Sequence, residues 1–245
     1  MIFLIRKLPP IKEDVGTYKN KTMNVIVISL EKAPERRIKL SKQLKSLGIV
    51  NYIMDAVDGS QLSETELNKS IKIGRWRVGE LFKPGEIGCT MSHLKALKIA
   101  KEKGWGDVII LEDDVVLAND FSKRIKYLKR ILPKDWEHVY LSGIPKKEPL
   151  PTSLLFLNIV PSDFTECTHS MMVNQTSYDK IIEKLSKFET TTDDIYCDLI
   201  SNKTIKSFTY YPFVTYADDT YTYIWNHELN REHKSKKYFR ENLIK

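Results

Sequence analysis

The stretch VIILEDDVVLANDF, residues 108–121, decides the fold class and locates the candidate site. Its first four residues are apolar without interruption, which is typical of a parallel strand covered on both faces. Three carboxylates follow at once, Glu112, Asp113 and Asp114. Because crowded carboxylates repel one another and resist burial, either solvent or a bound cation must stabilise this triplet.

Strand and helix patterns alternate on both sides of this stretch. Residues 24–30 (NVIVISL) predict a buried strand, and Pro34 suits the first turn of a helix in which Leu40, Leu44 and Leu47 share one face. The alternation predicts an α/β fold with a mostly parallel sheet flanked by helices. The other elements predicted in this half are strands at residues 52–57 and 139–141 and helices at residues 84–103 and 121–132.

The rest of the chain is less regular. Residues 60–82 predict a loop-rich insertion, residues 1–22 an extension ahead of the domain, and residues 228–245 a basic tail with little core material. One domain, residues 23–227, is therefore expected, with halves at 23–145 and 146–227. The second half is predicted to contain strands at 154–160, 170–173 and 210–216 and a helix at 177–188.

Composition narrows the classes of partner. Lys and Arg number 39 against 32 Asp and Glu, a net charge of +7 that favours anionic partners. The basic residues are spread along the chain, which argues against nucleic acid. The three cysteines lie far apart and predict no disulfide framework. No apolar run reaches the roughly 18 residues that a membrane span needs, and the opening MIFLIRKLPP is too short for a signal peptide.

The acidic triplet sits where ligands bind in open parallel sheets, at the carboxyl end of a strand. If the backbone stays extended, Glu112 and Asp114 face one way and Asp113 the other. An acid-x-acid pair can hold one hard divalent cation, which in turn binds nucleotide phosphates. The alternative is a solvated turn after a buried strand.

A second motif is KPGEIGCTMSHLKALKIA, residues 83–100. On a helix, Cys89 and His93 share a face with small and apolar residues, so His93 is predicted to point into the core or a cleft. A buried structural histidine is the competing interpretation. The helix start could bind a phosphate, and Ser92 could equally be a surface residue.

Two further motifs carry charge near predicted helix starts. SLEKAPERR, residues 29–37, places an arginine pair in a first helical turn, where an anionic ligand would offset its conflict with the helix dipole. TTDDIYCDLI, residues 191–200, could place a carboxylate at a cleft rim as a general base. A solvated charged face and a helix cap are the respective alternatives.

The order of these motifs resembles glycosyltransferase family 25 over roughly residues 24–225. The segments that carry the resemblance are VISLEKAPERRIKLSKQLKSLGI, DAVDG, PGEIGCTMSHLKAL and VIILEDDVVL. The resemblance implies a GT-A type fold, with residues 23–145 as the nucleotide-sugar half and 146–227 as the acceptor half. It also implies a sugar-nucleotide donor, usually UDP-galactose, a divalent metal, usually Mn²⁺, and inversion at the anomeric carbon.

The resemblance also implies roles for individual residues. Asp114 is the expected metal ligand, with Glu112 supporting the metal or the donor ribose, and Asp194 is the candidate base on the acceptor side. The expected donor-side positions are Ser29, Leu30, Arg36, Asp58, Ser92, His93, Glu112 and Asp113. The acceptor half departs from the family pattern, because it lacks a Gly-Ala pair and diverges after YP at residues 211–212.

The implied activity is inverting galactosyl transfer from UDP-galactose to an oligosaccharide or lipid-linked glycan of lipooligosaccharide or lipopolysaccharide. Two alternatives stay open: transfer of another sugar, glucose or an N-acetylhexosamine, and a catalytically idle carbohydrate-binding protein on the same fold. The resemblance implies a bacterial enzyme in the cytoplasm, and the basic tail fits contact with the anionic inner face of a membrane. The aromatic residues after position 205 are expected mainly to serve packing.

Overall fold

The computed structural model describes residues 23–70, 82–145, 158–162, 165–218, 221–222, 227–228 and 234–239. The predicted N-terminal extension, residues 1–22, lies outside the described residues. Residues 71–81 of the insertion and much of the tail also lie outside them.

A seven-stranded mixed sheet forms the centre of the fold, in the order β2-β1-β3-β9-β5-β10-β7. The pairings make β2, β1, β3, β5 and β10 parallel to one another, and β9 and β7 antiparallel to them. A mostly parallel sheet is therefore confirmed. The strands are β1 (Val25–Ser29), β2 (Tyr52–Asp55), β3 (Asp107–Glu112), β5 (His138–Tyr140), β7 (Asn158–Pro161), β9 (Ser170–Asn174) and β10 (Ser207–Tyr211).

Helices cover both faces of this sheet, as predicted. The helices are α1 (Pro34–Ser46), α2 (Glu64–Ser70), α3 (Pro84–Glu102), α4 (Phe121–Ile131), α5 (Tyr178–Leu185) and α6 (Thr192–Ser201). One apolar cluster contains residues of α1 and α4, such as Leu40 and Ile125. The other contains residues of α3, α5 and α6, such as Leu97 and Ile195. Since successive strand residues alternate between these clusters, the central strands are buried on both sides.

Short strand pairs complete the described fold. They are β4 (Val115–Leu117) with β11 (Thr215–Ala217), β6 (Ile144–Pro145) with β8 (Thr165–Glu166), and β12 (Tyr221–Thr222) with β13 (His227–Glu228). The β4–β11 pair directly follows the acidic triplet. It therefore links the predicted donor half to the second half of the chain.

The structure differs from the sequence expectations in three places. The strand predicted at 210–216 is divided between β10 and β11, which have Pro212 between them, and proline cannot donate to a strand ladder. The loop-rich region contains a 3₁₀ turn, Gly59–Gln61, and helix α2. The tail does contribute to packing, because Tyr238 is buried against Tyr211 and Phe213.

The loop after β2 packs closely against the first turns of α3. A Cβ at Gly88 would lie 2.6 Å from the Val57 carbonyl oxygen, and one at Gly59 would lie 1.8 Å from the Pro84 carbonyl oxygen. Ser92 Oγ accepts a hydrogen bond from the Val57 N–H (2.8 Å) and donates to the Gly88 carbonyl (2.7 Å). These contacts fix α3 relative to the strand ends.

Candidate functional site

The carboxyl ends of β1 and β3 meet at one edge of the sheet. The two strands are parallel neighbours with Ile28 opposite Glu112, so the loop to α1 and the acidic triplet lie side by side. β1 is wholly apolar up to Ser29 and fully buried, and α1 begins with Pro34 after a short loop. The basic segment after β1 and the acidic segment after β3 therefore lie next to each other at this edge of the sheet.

The side chains of the acidic triplet point in two directions. The backbone does not stay extended here, so the expectation that Glu112 and Asp114 face the same way was wrong. The chain turns at residues 113–114 before entering β4. Arg36 Nη1 lies 3.5 Å from Asp113 Oδ1 and 3.6 Å from Asp114 Oδ2. Asp113 Oδ2 also accepts a hydrogen bond from the Leu30 N–H (3.2 Å). A two-residue turn thus puts Asp113 and Asp114 on the same guanidinium and leaves Glu112 to face inward.

Burial controls the protonation of Asp113. It raises the pKa of this carboxyl above its ordinary value, although hydrogen bonds from Ser29 and Leu30 and the charge of Arg36 act in the opposite direction. A nearby cation favours the ionised form of this carboxyl. Arg36 supplies part of that charge.

Glu112 is paired with His93. His93 Nε2 lies 3.0 Å from Glu112 Oε1, and the histidine side chain is fully buried on α3. Burial raises the pKa of Glu112, but the hydrogen bond and charge of His93 outweigh it, and the net pKa is lowered. The inward direction predicted for His93 agrees with the structure.

The start of α6 brings a fourth carboxylate, Asp193, to the same place. Its oxygens accept hydrogen bonds from the Cys167 N–H (3.0 Å) and from Thr168 Oγ1 (3.2 Å). Thr168 Oγ1 also lies 3.5 Å from Glu112 Oε1 and so links the two acids. Burial raises the pKa of Asp193 to about 6, and the charge of Glu112 adds to the shift.

Asp194, the base expected from the sequence, has different partners. Its Oδ2 accepts a hydrogen bond from Thr190 Oγ1 (2.8 Å) beside the start of α6. The residue that reaches the strand-end acids through Thr168 is its neighbour, Asp193. In the sequence, Asp193 is marked only by its place in the TTDD motif, and no sequence signal points to Thr168.

The remaining donor-side candidates lie around the β1 loop. Ser29 Oγ accepts a hydrogen bond from Arg37 Nε (3.2 Å). Asp58 forms an ion pair with Lys32 (2.8 Å) and caps the turn at Gly59–Gln61. Burial raises the pKa of Asp58, but the hydrogen bonds from Lys32 and Ser60 together outweigh burial. The net pKa is therefore below its ordinary value. Ser92 is buried and bonded to backbone groups, so its contacts are structural.

Among the described residues, two sets of side chains near the strand ends have metal-ligating chemistry. Asp113 and Asp114 offer carboxylate oxygens of the kind that hard divalent cations bind. Cys89, His93 and Glu112 bring a sulfur, a nitrogen and an oxygen within 4.8 Å of one another. Burial raises the pKa of Cys89 well above its ordinary value, and the charge of Glu112 adds to this.

Comparison with known proteins identifies the family. The family model described as "Glycosyltransferase family 25 (LPS biosynthesis protein)" matches residues 22–224. The chain belongs to glycosyltransferase family 25. The mostly parallel sheet with helices on both faces is that of a GT-A type glycosyltransferase fold. This confirms the family and fold class predicted from the sequence.

Relatives of this chain have different described activities. It is 32% identical over 125 residues to the rat "Probable inactive glycosyltransferase 25 family member 3", covering 48% of this chain and 22% of that protein. It is 26% identical over 169 residues to human "Procollagen galactosyltransferase 2", covering 64% and 27% respectively. The chain therefore spans about a quarter of the length of these curated relatives.

Similar solved structures are also glycosyltransferases. One, described as a glycosyltransferase involved in the glycosylation of the major capsid of PBCV-1, has a TM-score of 0.43 at 9% identity, covering 76% of this chain and 81% of that one. Mouse xyloside xylosyltransferase 1 in its apo form has a TM-score of 0.40 at 11% identity, covering 76% and 71%. Among the residues described for the present chain, no helix is both long enough and apolar enough to cross a membrane.

Proposed function

We propose that this chain is an inverting, metal-assisted glycosyltransferase that moves galactose from UDP-galactose to a hydroxyl of a lipooligosaccharide or lipopolysaccharide glycan. The observation that carries the proposal is the arrangement at the strand end. On one side of the strand end, Arg36 lies close to Asp113 and Asp114. On the other side, Thr168 contacts both Asp193 and Glu112. Membership of family 25 supports glycosyl transfer, and the family's association with lipopolysaccharide biosynthesis supports a glycan of that type.

The donor side has groups suited to a nucleotide diphosphate. Arg36 and the nearby Lys32 carry the positive charge that a diphosphate leaving group requires. The oxygen ligands at the strand end fit a hard cation such as Mn²⁺ or Mg²⁺. Asp114 is the proposed ligand, and Glu112 is the second carboxylate expected from the sequence. When bound, the cation would neutralise the negative charge that develops on the leaving diphosphate.

The acceptor side needs a base that is ionised at working pH. Asp193 meets this requirement, because a pKa of about 6 leaves it ionised near neutral pH and still able to take a proton from a hydroxyl. The attacking oxygen loses its proton to Asp193 as it approaches the anomeric carbon from the side opposite the diphosphate. One displacement then inverts that carbon without a covalent enzyme intermediate. Asp194 remains the candidate expected from the sequence.

A donor panel tests this function. UDP-galactose, UDP-glucose and UDP-N-acetylglucosamine are offered with Mn²⁺ and an oligosaccharide acceptor, and UDP release is followed with and without EDTA. Wild-type protein should prefer UDP-galactose and lose activity in EDTA. Asp114→Ala should lower turnover about 100-fold or more, because a charge-stabilising group at the leaving diphosphate is lost. Equal turnover by wild type and Asp114→Ala would contradict the metal assignment.

A second candidate function is carbohydrate binding without catalysis, because several relatives are described as inactive. The two candidates predict different results in the donor panel. If the protein binds UDP-sugars but releases no UDP under any metal or acceptor condition, the result would support carbohydrate binding without catalysis. Release of UDP from UDP-glucose alone would instead support a transferase whose donor sugar is glucose rather than galactose.

A further inference from the structure

Behind the strand-end acids, helix α3 and strand β3 bring together a mixed set of ligand atoms. Cys89 and His93 lie one helical turn apart, so they project from the same face of α3. Glu112 ends β3, and its Oε1 lies 3.0 Å from His93 Nε2. The sulfur, nitrogen and oxygen donors of these three residues all lie within 4.8 Å of one another.

The surroundings of this group favour a cation. His93 is fully buried, and its Nδ1 has no hydrogen-bond partner within the described ranges. A second carboxylate, Asp193, is joined to Glu112 through Thr168. Added positive charge stabilises the two carboxylates, and a buried neutral imidazole that the protein satisfies only in part can offer a ring-nitrogen lone pair to a cation.

We propose that Cys89, His93 and Glu112 form a binding site for a divalent cation of the Zn²⁺ type. The donor set decides the cation, because Zn²⁺ binds sulfur, nitrogen and oxygen ligands together, whereas Mn²⁺ and Mg²⁺ prefer oxygen. Zinc bonds of about 2.0–2.3 Å in a tetrahedral site separate the ligand atoms by roughly 3.3–3.8 Å. The present separations need only small side-chain movements to reach that geometry, and three protein ligands leave the fourth position open.

This site differs from the strand-end position proposed for the donor's cation. Asp114 turns toward Arg36, whereas Glu112 turns toward His93 on the interior side. Glu112 is the one residue common to both proposals, so variants of Glu112 would not separate them. The proposal does not depend on the transferase activity, and its test uses no turnover measurement.

Cobalt spectroscopy tests the site directly. The full chain, dialysed against a chelator, is titrated with Co²⁺, which should give a thiolate-to-cobalt charge-transfer band and tetrahedral visible bands that Zn²⁺ then displaces. Cys89→Ser should abolish the thiolate band. It should also weaken Zn²⁺ binding about 100-fold or more, since losing even an outer-shell partner costs 10–100-fold.

Cys197→Ser is the matched control, because that buried thiol bonds instead to the Thr165 carbonyl (3.6 Å). This variant should keep both the thiolate band and the Zn²⁺ affinity. A cobalt spectrum without a thiolate band, or an equal loss of binding in Cys197→Ser, would overturn the proposal.

A second measurement uses wild-type protein and so does not depend on whether the variants fold. Zn²⁺ should slow alkylation of Cys89 at least about tenfold, as followed by peptide mass mapping, because a bound thiolate is protected from the reagent. Cys167, which is partly exposed and outside the group, should react at an unchanged rate. Alkylation of Cys89 that is insensitive to Zn²⁺ would contradict the site.

Discussion

Asp193 and Asp194 are neighbours in the sequence, but the first turn of α6 points them at different partners. Asp193 bonds to Thr168, which also contacts Glu112, whereas Asp194 bonds to Thr190. Only Asp193 therefore shares an electrostatic environment with the strand-end acids. Its raised pKa follows from burial and from the charge of Glu112.

The pH dependence of transfer should report this difference. Because the pKa of Asp193 is raised to about 6, the ionised base is present above that pH and is lost as pH falls through it. We expect kcat/KM of the wild type to fall about tenfold per pH unit below that value. Asp193→Asn should lower kcat by about 10²–10⁴-fold and remove this acid limb, whereas Asp194→Asn should keep the limb. The measurement is initial rate against pH for all three proteins.

A stability measurement serves as the control for folding. The ordinary pKa of Asp193 is 3.8, and its folded-state pKa is higher. The folded protein therefore binds the proton more tightly, and ionised Asp193 costs stability above about pH 4. Asp193→Asn should accordingly melt no lower than wild type at pH 8. Loss of transfer in Asp194→Asn with full activity in Asp193→Asn would return the base to Asp194.

At the scale of elements, the contact between the loop after β2 and the start of α3 positions both His93 and Cys89. The contact is made by Gly59 and Gly88, where a Cβ would fall within 3.0 Å of backbone atoms. Backbone atoms cannot move aside as a flexible side chain can. The motif PGEIG thus serves close packing of α3, in addition to any role toward a ligand.

Gly88→Ala should destabilise the protein although alanine favours helices. Helix propensity gains at most about 1 kcal/mol, whereas a Cβ 2.6 Å from the Val57 oxygen forces a backbone shift that costs about 1–3 kcal/mol. We expect a lower melting temperature and weaker donor binding. Gly106→Ala is the control, because the nearest atom there lies 4.0 Å from the new Cβ. Equal melting temperatures for the two variants would contradict the packing argument.

Helices and strands were predictable from the sequence where the residue pattern of a single segment indicates its structure. The apolar run of β3 and the spacing of Cys89 and His93 are local, and both predictions agreed with the structure. The partners of these residues were not predictable, because they depend on how distant segments pack. Thr168 lies 56 positions from Glu112, and the turn at residues 113–114 overrode the alternation that an extended chain would have given.

At the scale of the whole molecule, the net charge of +7 is not confined to the site. The tail carries Lys234 and Lys237 as exposed side chains, while Tyr238 packs against Phe213 with ring centroids 5.7 Å apart. The described part of the tail is therefore anchored, and its lysines are held at the surface. We propose that this surface contacts the anionic inner face of a bacterial membrane, the contact expected from the sequence.

Charge reversal tests this membrane contact better than removal of residues 228–245, since that removal would also delete the buried Tyr238. Each lysine near an anionic surface contributes about 1 kcal/mol, so Lys234→Glu with Lys237→Glu should weaken binding to phosphatidylglycerol-containing vesicles about tenfold or more. Lys98→Glu with Lys103→Glu is the charge-matched control. Those exposed lysines lie on or just after α3, and Lys103 contacts Tyr52 on the edge strand β2.

Sedimentation with vesicles at low and high salt measures the effect, which screening should remove at high salt. Equal losses in the two double variants would assign the attraction to net charge rather than to the tail.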